Sequence, residues 1–387
     1  MAEAFKHLIN AHTVRHASEH LQRAWTAFDR KRFEHQALKG LEGLEFKARA
    51  LQIADALEAC LPPDFDQAAG VLEQALAPPL AFNAPGEPIG LGAALNPAGL
   101  AGWVLWGAGE WVTRRGMDEV PRALTCLHAL TQRFTAELAI RPFIAAHPSE
   151  VFETLTGWAH DASPHVRRLV SEGSRPRLPW GLRLQALVAD PRPSLPLLRL
   201  LQDDPSAYVR RSVANHLNDI AKDHPERIAQ WLSEHLPGAS AERTALLRHA
   251  SRSLIKQGHA PTLLAWGMSP GLRGQAELAL SHRALRIGDT LTLSVQLRAS
   301  GREPQALVVD YAVHHVRAGG KTSAKVFKGW NVNLAPGEAL SLSKRHPFRE
   351  VTTRRLYPGV HRIDLLVNGE RQASETFELR PAAVDTA

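Results

Sequence analysis

The chain is expected to be mainly α-helical, with a helical-repeat solenoid over residues 1–275 followed by a β-sandwich over residues 276–387. Three observations predict this. Apolar residues recur at helical spacing up to about residue 270, one segment repeats at an offset of 43 residues, and beyond residue 275 the pattern changes to period two. At 387 residues the chain also exceeds what a single hydrophobic core usually organises, roughly 250–300 residues.

The helical spacing is clearest in "LEFKARALQIADALEACL" (44–61), where Leu44, Ala48, Leu51, Ala54 and Leu57 are expected on one face. Proline and glycine fall between such segments. The interval 77–102 is rich in both yet too apolar for a disordered linker, so it is expected to pack as an ordered loop. The repeat appears when "HDASPHVRRLVSEG" (160–173) is laid over "DDPSAYVRRSVANH" (203–216). Asp161 matches Asp204, Ser163 matches Ser206, and Arg167-Arg168 matches Arg210-Arg211. A 43-residue period lies within the HEAT-type range, and each copy is expected to open with an Asp or Ser cap and continue as an inner helix lining a concave surface. A degenerate third copy is expected at 244–259, with Arg248 in the second arginine's place. After residue 275, about seven alternating runs separated by Gly, Pro and Asn-Gly turns predict an Ig-like sandwich, with Asn368-Gly369 closing a hairpin.

The net charge of +7 favours an anionic partner such as nucleic acid. Residues 281–380 hold sixteen Lys/Arg against nine Asp/Glu, an excess equal to the whole net charge. Cys60 and Cys126 are the two cysteines, without metal-ligand spacing, so neither a disulfide framework nor a zinc site is expected and a reducing cytoplasm fits. The N-terminal residues lack an apolar leader, and no run reaches the roughly 20 apolar residues of a membrane span. Phosphate-binding, dinucleotide-binding, zinc-protease and nucleophile-elbow motifs are absent, so no cofactor or metal is expected.

Five constellations remain. The paired arginines, Arg167-Arg168 and Arg210-Arg211, recur at one repeat phase and are expected to contact DNA phosphates, where scattered surface charge would show no such recurrence. Glu137 and Arg141, four apart in "LTQRFTAELAIRPFI" (130–144), would share a helix face. That is either a small intrahelical ion pair or a carboxylate oriented by a guanidinium near DNA, and spacing alone favours the former. Asn215, Asn218 and Asp219 continue the helix of the second arginine pair, and Asp219 is either a second carboxylate or a solvated one. Trp180, among Arg175, Arg177 and Arg183, is placed to meet a base or sugar. In the sandwich Lys325, Lys328, Arg345, His346, Arg349, Arg354 and Arg355 form a basic surface suited to DNA.

Together, "LTQRFTAELAIRPFI", "VRRLVSEGSRPRLPW", "DDPSAYVRRSVANHLNDIAKDHPE" and "HPFREVTTRRLYPGVH" resemble the AlkC-type branch of the DNA alkylation repair glycosylases, over nearly the whole chain. The resemblance implies an enzyme that grips alkylated double-stranded DNA and hydrolyses the N-glycosidic bond of cationic bases. The substrates implied are 3-methylcytosine and 3-methyladenine, extending to 7-methylguanine, excised without base flipping. It implies a monomer without cofactor. The sister AlkD-like branch uses a tryptophan and aspartate cradle. Here the Arg133-Phe134 region and Asn215 stand at those places, so the carboxylate role falls to Glu137 first and Asp219 second. Arg141, Arg168 and Arg175 would hold flanking phosphates, with Trp180 against the lesion. The competing expectation is a non-catalytic DNA-binding or scaffold protein on the same repeats.

Overall fold

The computed structural model describes residues 5–84, 86–91, 95–268, 271–351 and 355–382. Four helices open it: α1 Ala11–Ala24, α2 Arg30–Leu38, α3 Phe46–Cys60 and α4 Phe65–Ala75. Beyond the 77–102 interval come α5 Val104–Arg115, α6 Val120–Thr131, α7 Ile140–Ala146 and α8 Pro148–Trp158. The repeated segment lies in α9 Pro164–Gly173, α10 Gln185–Ala189, α11 Leu195–Leu201 and α12 Ala207–Ile220. The helices α13 Pro225–His235, α14 Ala241–Ala250, α15 Arg252–Gln257 and α16 Ala260–Ala265 complete the helical part.

The 43-residue repeat is physical. Ser163 and Ser206 precede α9 and α12 with the same backbone, φ −82° and ψ 121° against φ −82° and ψ 122°. Neither serine caps with its hydroxyl, contrary to the expected Ser cap. Instead the aspartate two residues earlier accepts the serine N–H, Asp161 Oδ1 at 2.7 Å and Asp204 Oδ1 at 2.8 Å, an Asx turn that fixes the approach to each helix. The third copy is out of phase, because α14 begins 34 residues after α12. In α3 the buried stripe is Ala50, Ile53, Ala54, Leu57 and Cys60, with Leu51 and Ala48 only half-buried. The stripe is rotated from the one expected because Leu44 precedes the helix and α5 approaches through Gly107. A Cβ there would stand 2.4 Å from Ile53 Cγ2.

The chain divides into two compact units, residues 1–223 with 240–250, and residues 224–239 with 251–387. The second unit contains eight strands among its described residues: β1 Gly274–Leu280, β2 Ala284–Arg286, β3 Thr290–Ala299, β4 Gln305–Val316, β5 Thr322–Leu334, β6 Ala339–Pro347, β7 Gly359–Val367 and β8 Glu370–Arg380. They form a three-stranded sheet, β1-β3-β6, and a five-stranded sheet, β2-β8-β7-β4-β5. Inward residues of both sheets, among them Leu293, Val295, Val309, Val313, Ile363 and Phe377, share one core. Asn368 (φ 48°) and Gly369 (φ 83°) make the two-residue turn between β7 and β8, both in the left-handed region that such turns require. Ile255, Leu263 and Met268 from the α15–α16 region are buried with Val308 of β4, so these helices pack with the strands that follow them.

Candidate active site

Charged residues from the turn before α7, from α9 and α12 and from just beyond the ends of those two helices form an alternating chain of carboxylates and cations. It begins at Glu137, in the turn before α7. Glu137 Oε2 accepts from Arg168 Nη1 at 2.7 Å and from the Thr135 hydroxyl. Arg168 lies 3.8 Å from Glu172, one turn on in α9. Glu172 Oε1 accepts from Arg175 Nη1 at 2.6 Å, and its Oε2 accepts from the Ser212 hydroxyl at 2.6 Å. Arg175 Nε then donates to Asp219 Oδ2 at 2.8 Å, and Lys222 Nζ donates to Asp219 Oδ1 at 2.8 Å. The 43-residue register explains why the chain crosses from helix to helix, since it sets α9 against α12 with their polar residues facing.

Burial by itself would push the Glu172 carboxyl up, but the Arg168 and Arg175 guanidiniums outweigh it and hold it below the ordinary carboxylate range. Both oxygens of Glu172 and both of Asp219 are occupied by donors. Glu137 differs. Its two bonds fall on one oxygen, so Oε1 has no hydrogen-bond partner among the described residues, and the side chain keeps 17% of its surface exposed. Arg168, with its guanidinium carbon 4.8 Å from the centre of the Tyr208 ring, holds that carboxylate in a fixed orientation.

Arg141 belongs to the same cluster but not as the spacing suggested. The helix begins at Ile140, so Glu137 lies outside it and turns to Arg168, while Arg141 points inward. Arg141 is fully buried; its Nε donates to the Leu182 carbonyl at 2.5 Å and its Nη1 to the Gly173 carbonyl at 2.8 Å. Burial first, and the Arg175 charge second, pull it down to about 10. A phosphate contact is closed to it. Its structural effect is on the next loop, since it ties down Leu182, two residues from Trp180. Trp180 itself is 66% exposed and has φ 65°, the left-handed region a tryptophan occupies only at a cost. Phe46, edge-on at 6.4 Å between ring centres, is its aromatic neighbour, and Phe46 in turn packs on Trp103 and Trp106. The indole is thus exposed, at a positive φ, on a loop that Arg141 anchors at Leu182.

The paired arginines, expected at phosphates, bond within the chain. Arg167 donates to the carbonyls of Asp161 and Ala162 at 2.8 and 3.0 Å and to both oxygens of Asp204. Arg210 does the same one repeat on, at 2.5 and 2.9 Å from the carbonyls of Asp204 and Pro205. The first arginine of each pair therefore staples the turn before its own helix and has few donors left for phosphate. Arg168 and Arg175 are consumed by the charge chain, so they too are not phosphate clamps. Arg211 is half-exposed, but both of its terminal nitrogens are held at 2.6 Å by Glu87 of the 77–102 interval. Residues 85 and 92–94 of that interval lie outside the described residues, but its stretch around Phe82 packs on α9: Phe82 lies 4.4 Å from the His165 ring, and His165 Nε2 meets the Leu80 carbonyl at 3.0 Å. Asn215 is engaged through Oδ1 with His249 Nε2 at 2.9 Å.

In the second unit Lys325 and Lys328 on β5, Arg345 on β6 and Arg355 are all exposed. Lys325 lies 5.4 Å from the Phe327 ring centre and Arg355 5.7 Å from that of Tyr357. Arg354 lies outside the described residues. Glu172, Thr135 and Tyr208 are the residues that sequence reasoning missed. The signal was present for Glu172, which stands four residues after Arg168 and three before Arg175.

Comparison with known proteins bears on the family and the fold. Residues 275–381 match the family described as the C-terminal Ig-like domain of the uncharacterised protein YhaZ. The uncharacterized protein YhaZ of Bacillus subtilis (strain 168) is 31% identical over 376 residues, covering 97% of this chain and 99% of that protein. The structure of the Pseudomonas fluorescens alkylpurine DNA glycosylase AlkC bound to DNA containing an abasic site analog is similar at a TM-score of 0.86 and 35% identity, covering 98% of this chain and 100% of that one. The chain belongs to the AlkC-type family of DNA alkylation repair glycosylases. Its helical repeats and Ig-like sandwich are those of that family, and among the described residues no helix is long and apolar enough to cross a membrane.

Proposed function

We propose that the protein is a DNA glycosylase that releases cationic alkylated bases, 3-methylcytosine, 3-methyladenine and by the same chemistry 7-methylguanine, from double-stranded DNA, acting as a monomer in the cytoplasm. The observation that carries this reading is Glu137, a carboxylate pinned through one oxygen with the other left open. An alkylated base already bears a positive charge, so when the bond from C1′ to the base nitrogen breaks, the base leaves neutral with the electron pair and the sugar becomes oxocarbenium-like. A fixed carboxylate beside C1′ stabilises that charge electrostatically. It also orients the attacking water, whose oxygen bonds to C1′ and whose proton passes to the carboxylate and then to solvent. The products are the free base and an abasic sugar.

Asp219 was the second candidate for this role. Only 1% exposed beneath Arg175 and Lys222, it serves in this reading as a positioning residue, keeping Arg175 and through it Glu172 and Arg168 in place. Trp180 stacks on the lesion nucleotide or its sugar from the surface of its unit, which supports excision without rotation of the base into a pocket. The exposed Lys325, Lys328, Arg345 and Arg355, with Arg354, meet the DNA backbone. Arg211 joins them when DNA phosphate displaces Glu87.

Chromatographic detection of free bases after incubation with methylated duplex DNA tests the reading. Release of 3-methyladenine and 3-methylcytosine is expected, whereas salt-dependent binding without release would establish the scaffold alternative. Trp180→Ala is expected to weaken binding to lesion-containing duplex by about tenfold or more, given the ~1–3 kcal/mol typical of base–aromatic stacking. Fluorescence anisotropy measures it; an unchanged Kd would remove Trp180 from the interface.

A further inference from the structure

We propose that His16 and His20 of α1 form a chelating site for a borderline divalent transition-metal ion such as Zn²⁺, Ni²⁺ or Cu²⁺, with His12 one turn before them on the same helix. The stretch "HTVRHASEH" (12–20) places three histidines at four-residue intervals, so successive rings stack along one helical face. The Nε2 atoms of His16 and His20 stand 3.3 Å apart, with ring centres 4.5 Å apart. Two imidazoles in that relation can share at most one proton. The same separation is what two nitrogens subtend at a tetrahedral ion with bonds of about 2.0–2.1 Å, roughly 3.3 Å. The separation of the pair is thus that of two ligands of one ion.

The surroundings favour chelation over a chance contact. His20 is buried and His16 half-buried, so little side-chain freedom remains to be lost on binding. Burial, more than any neighbouring charge, holds both rings below the ordinary histidine range. The Glu19 charge near both rings favours an added cation, and Arg23 opposes it. Glu19 is itself oriented by Arg30 of α2 at 2.9 Å, and Arg30 also bridges to Glu34 at 2.7 Å, so the carboxylate is held beside the site. No group of three or more His, Cys, Asp or Glu side chains suited to a metal occurs among the described residues. The site therefore supplies two nitrogens, with water completing the coordination, and its effect is to clamp two turns of α1. None of these residues takes part in the charge chain around Glu137.

Calorimetric titration of the chelator-treated full-length protein with ZnCl₂ and NiCl₂ tests this. Uptake of one ion is expected, weakened about tenfold or more in His16→Gln because the second nitrogen then lacks its chelate partner, and abolished in the His16→Gln/His20→Gln pair. The melting temperature of the wild type should rise with the ion and that of His16→Gln should not. His16→Gln keeps the test valid if the buried His20 does not tolerate replacement. No uptake by the wild type overturns the proposal outright, and the same uptake by wild type and His16→Gln overturns it because other histidines would then be the source of the signal.

Discussion

Glu137→Gln is expected to lower the rate of base release by about 10²–10³-fold, the usual cost of removing one preorganised group that stabilises transition-state charge. Glutamine keeps the size of the side chain and can still accept from Arg168 and Thr135, so the turn before α7 should survive. What disappears is the negative charge beside C1′. Loss of that charge also removes a repulsion from the phosphates, so affinity for DNA should hold or improve slightly. Single-turnover rates measured beside dissociation constants separate the two effects. A fall in affinity with an unchanged rate would make Glu137 a structural residue of the turn.

The second large effect concerns stability. Arg175→Met should destabilise the protein by about 3–5 kcal/mol, because removing one partner from a buried ionic network leaves the others uncompensated. Arg175 bonds Glu172 at 2.6 Å and Asp219 at 2.8 Å, and both carboxylates are buried. Without it two negative charges would face each other with only Arg141, Arg168 and Lys222 nearby. For a unit of this size the melting temperature should drop by on the order of 10 °C. Adding Glu172→Gln to Arg175→Met should restore part of the loss, since it removes one of the stranded charges. A melting temperature for Arg175→Met within about 2 °C of wild type would mean that solvent reaches the network and screens it.

Much of the fold is legible because it follows from periodicity. The change from helical to alternating spacing near residue 275 marks where strands begin, and the Asn368-Gly369 turn follows from two residues that tolerate positive φ. The 43-residue offset was visible because Asp161, Ser163 and Arg167 each have a counterpart with the same local bonds. Those local bonds are also why the arginine pairs misled. Recurrence at one phase argued for a shared ligand, but for Arg167 and Arg210 the shared ligand is their own turn. The third repeat was misplaced because Arg248 alone fixed its alignment, and a single arginine does not set a register.

At the site, residue types were legible and pairings were not. Glu137 was singled out in the sequence, but its partner Arg168 lies 31 residues away and meets it only once the turn before α7 comes to α9. The i,i+4 rule pointed to Arg141 instead because it presumes a helix, and Glu137 precedes the helix start. Glu172 escaped notice because a glutamate in an arginine-rich helix is usually solvated, whereas here Ser212 and Arg175 enclose it. The strain at Trp180 is a backbone property with no sequence signature at all.

If Glu137 acts as proposed, a positioned carboxylate suffices because the leaving base brings its own positive charge. The most direct test compares single-turnover release from two duplexes, one carrying 3-methyladenine and the other its uncharged isostere 3-deaza-3-methyladenine, at matched sequence and salt. Release of 3-methyladenine with no detectable release of the isostere, though both duplexes bind, is the predicted result. Comparable release of both would contradict it, because a neutral base can leave at that rate only if the enzyme protonates it.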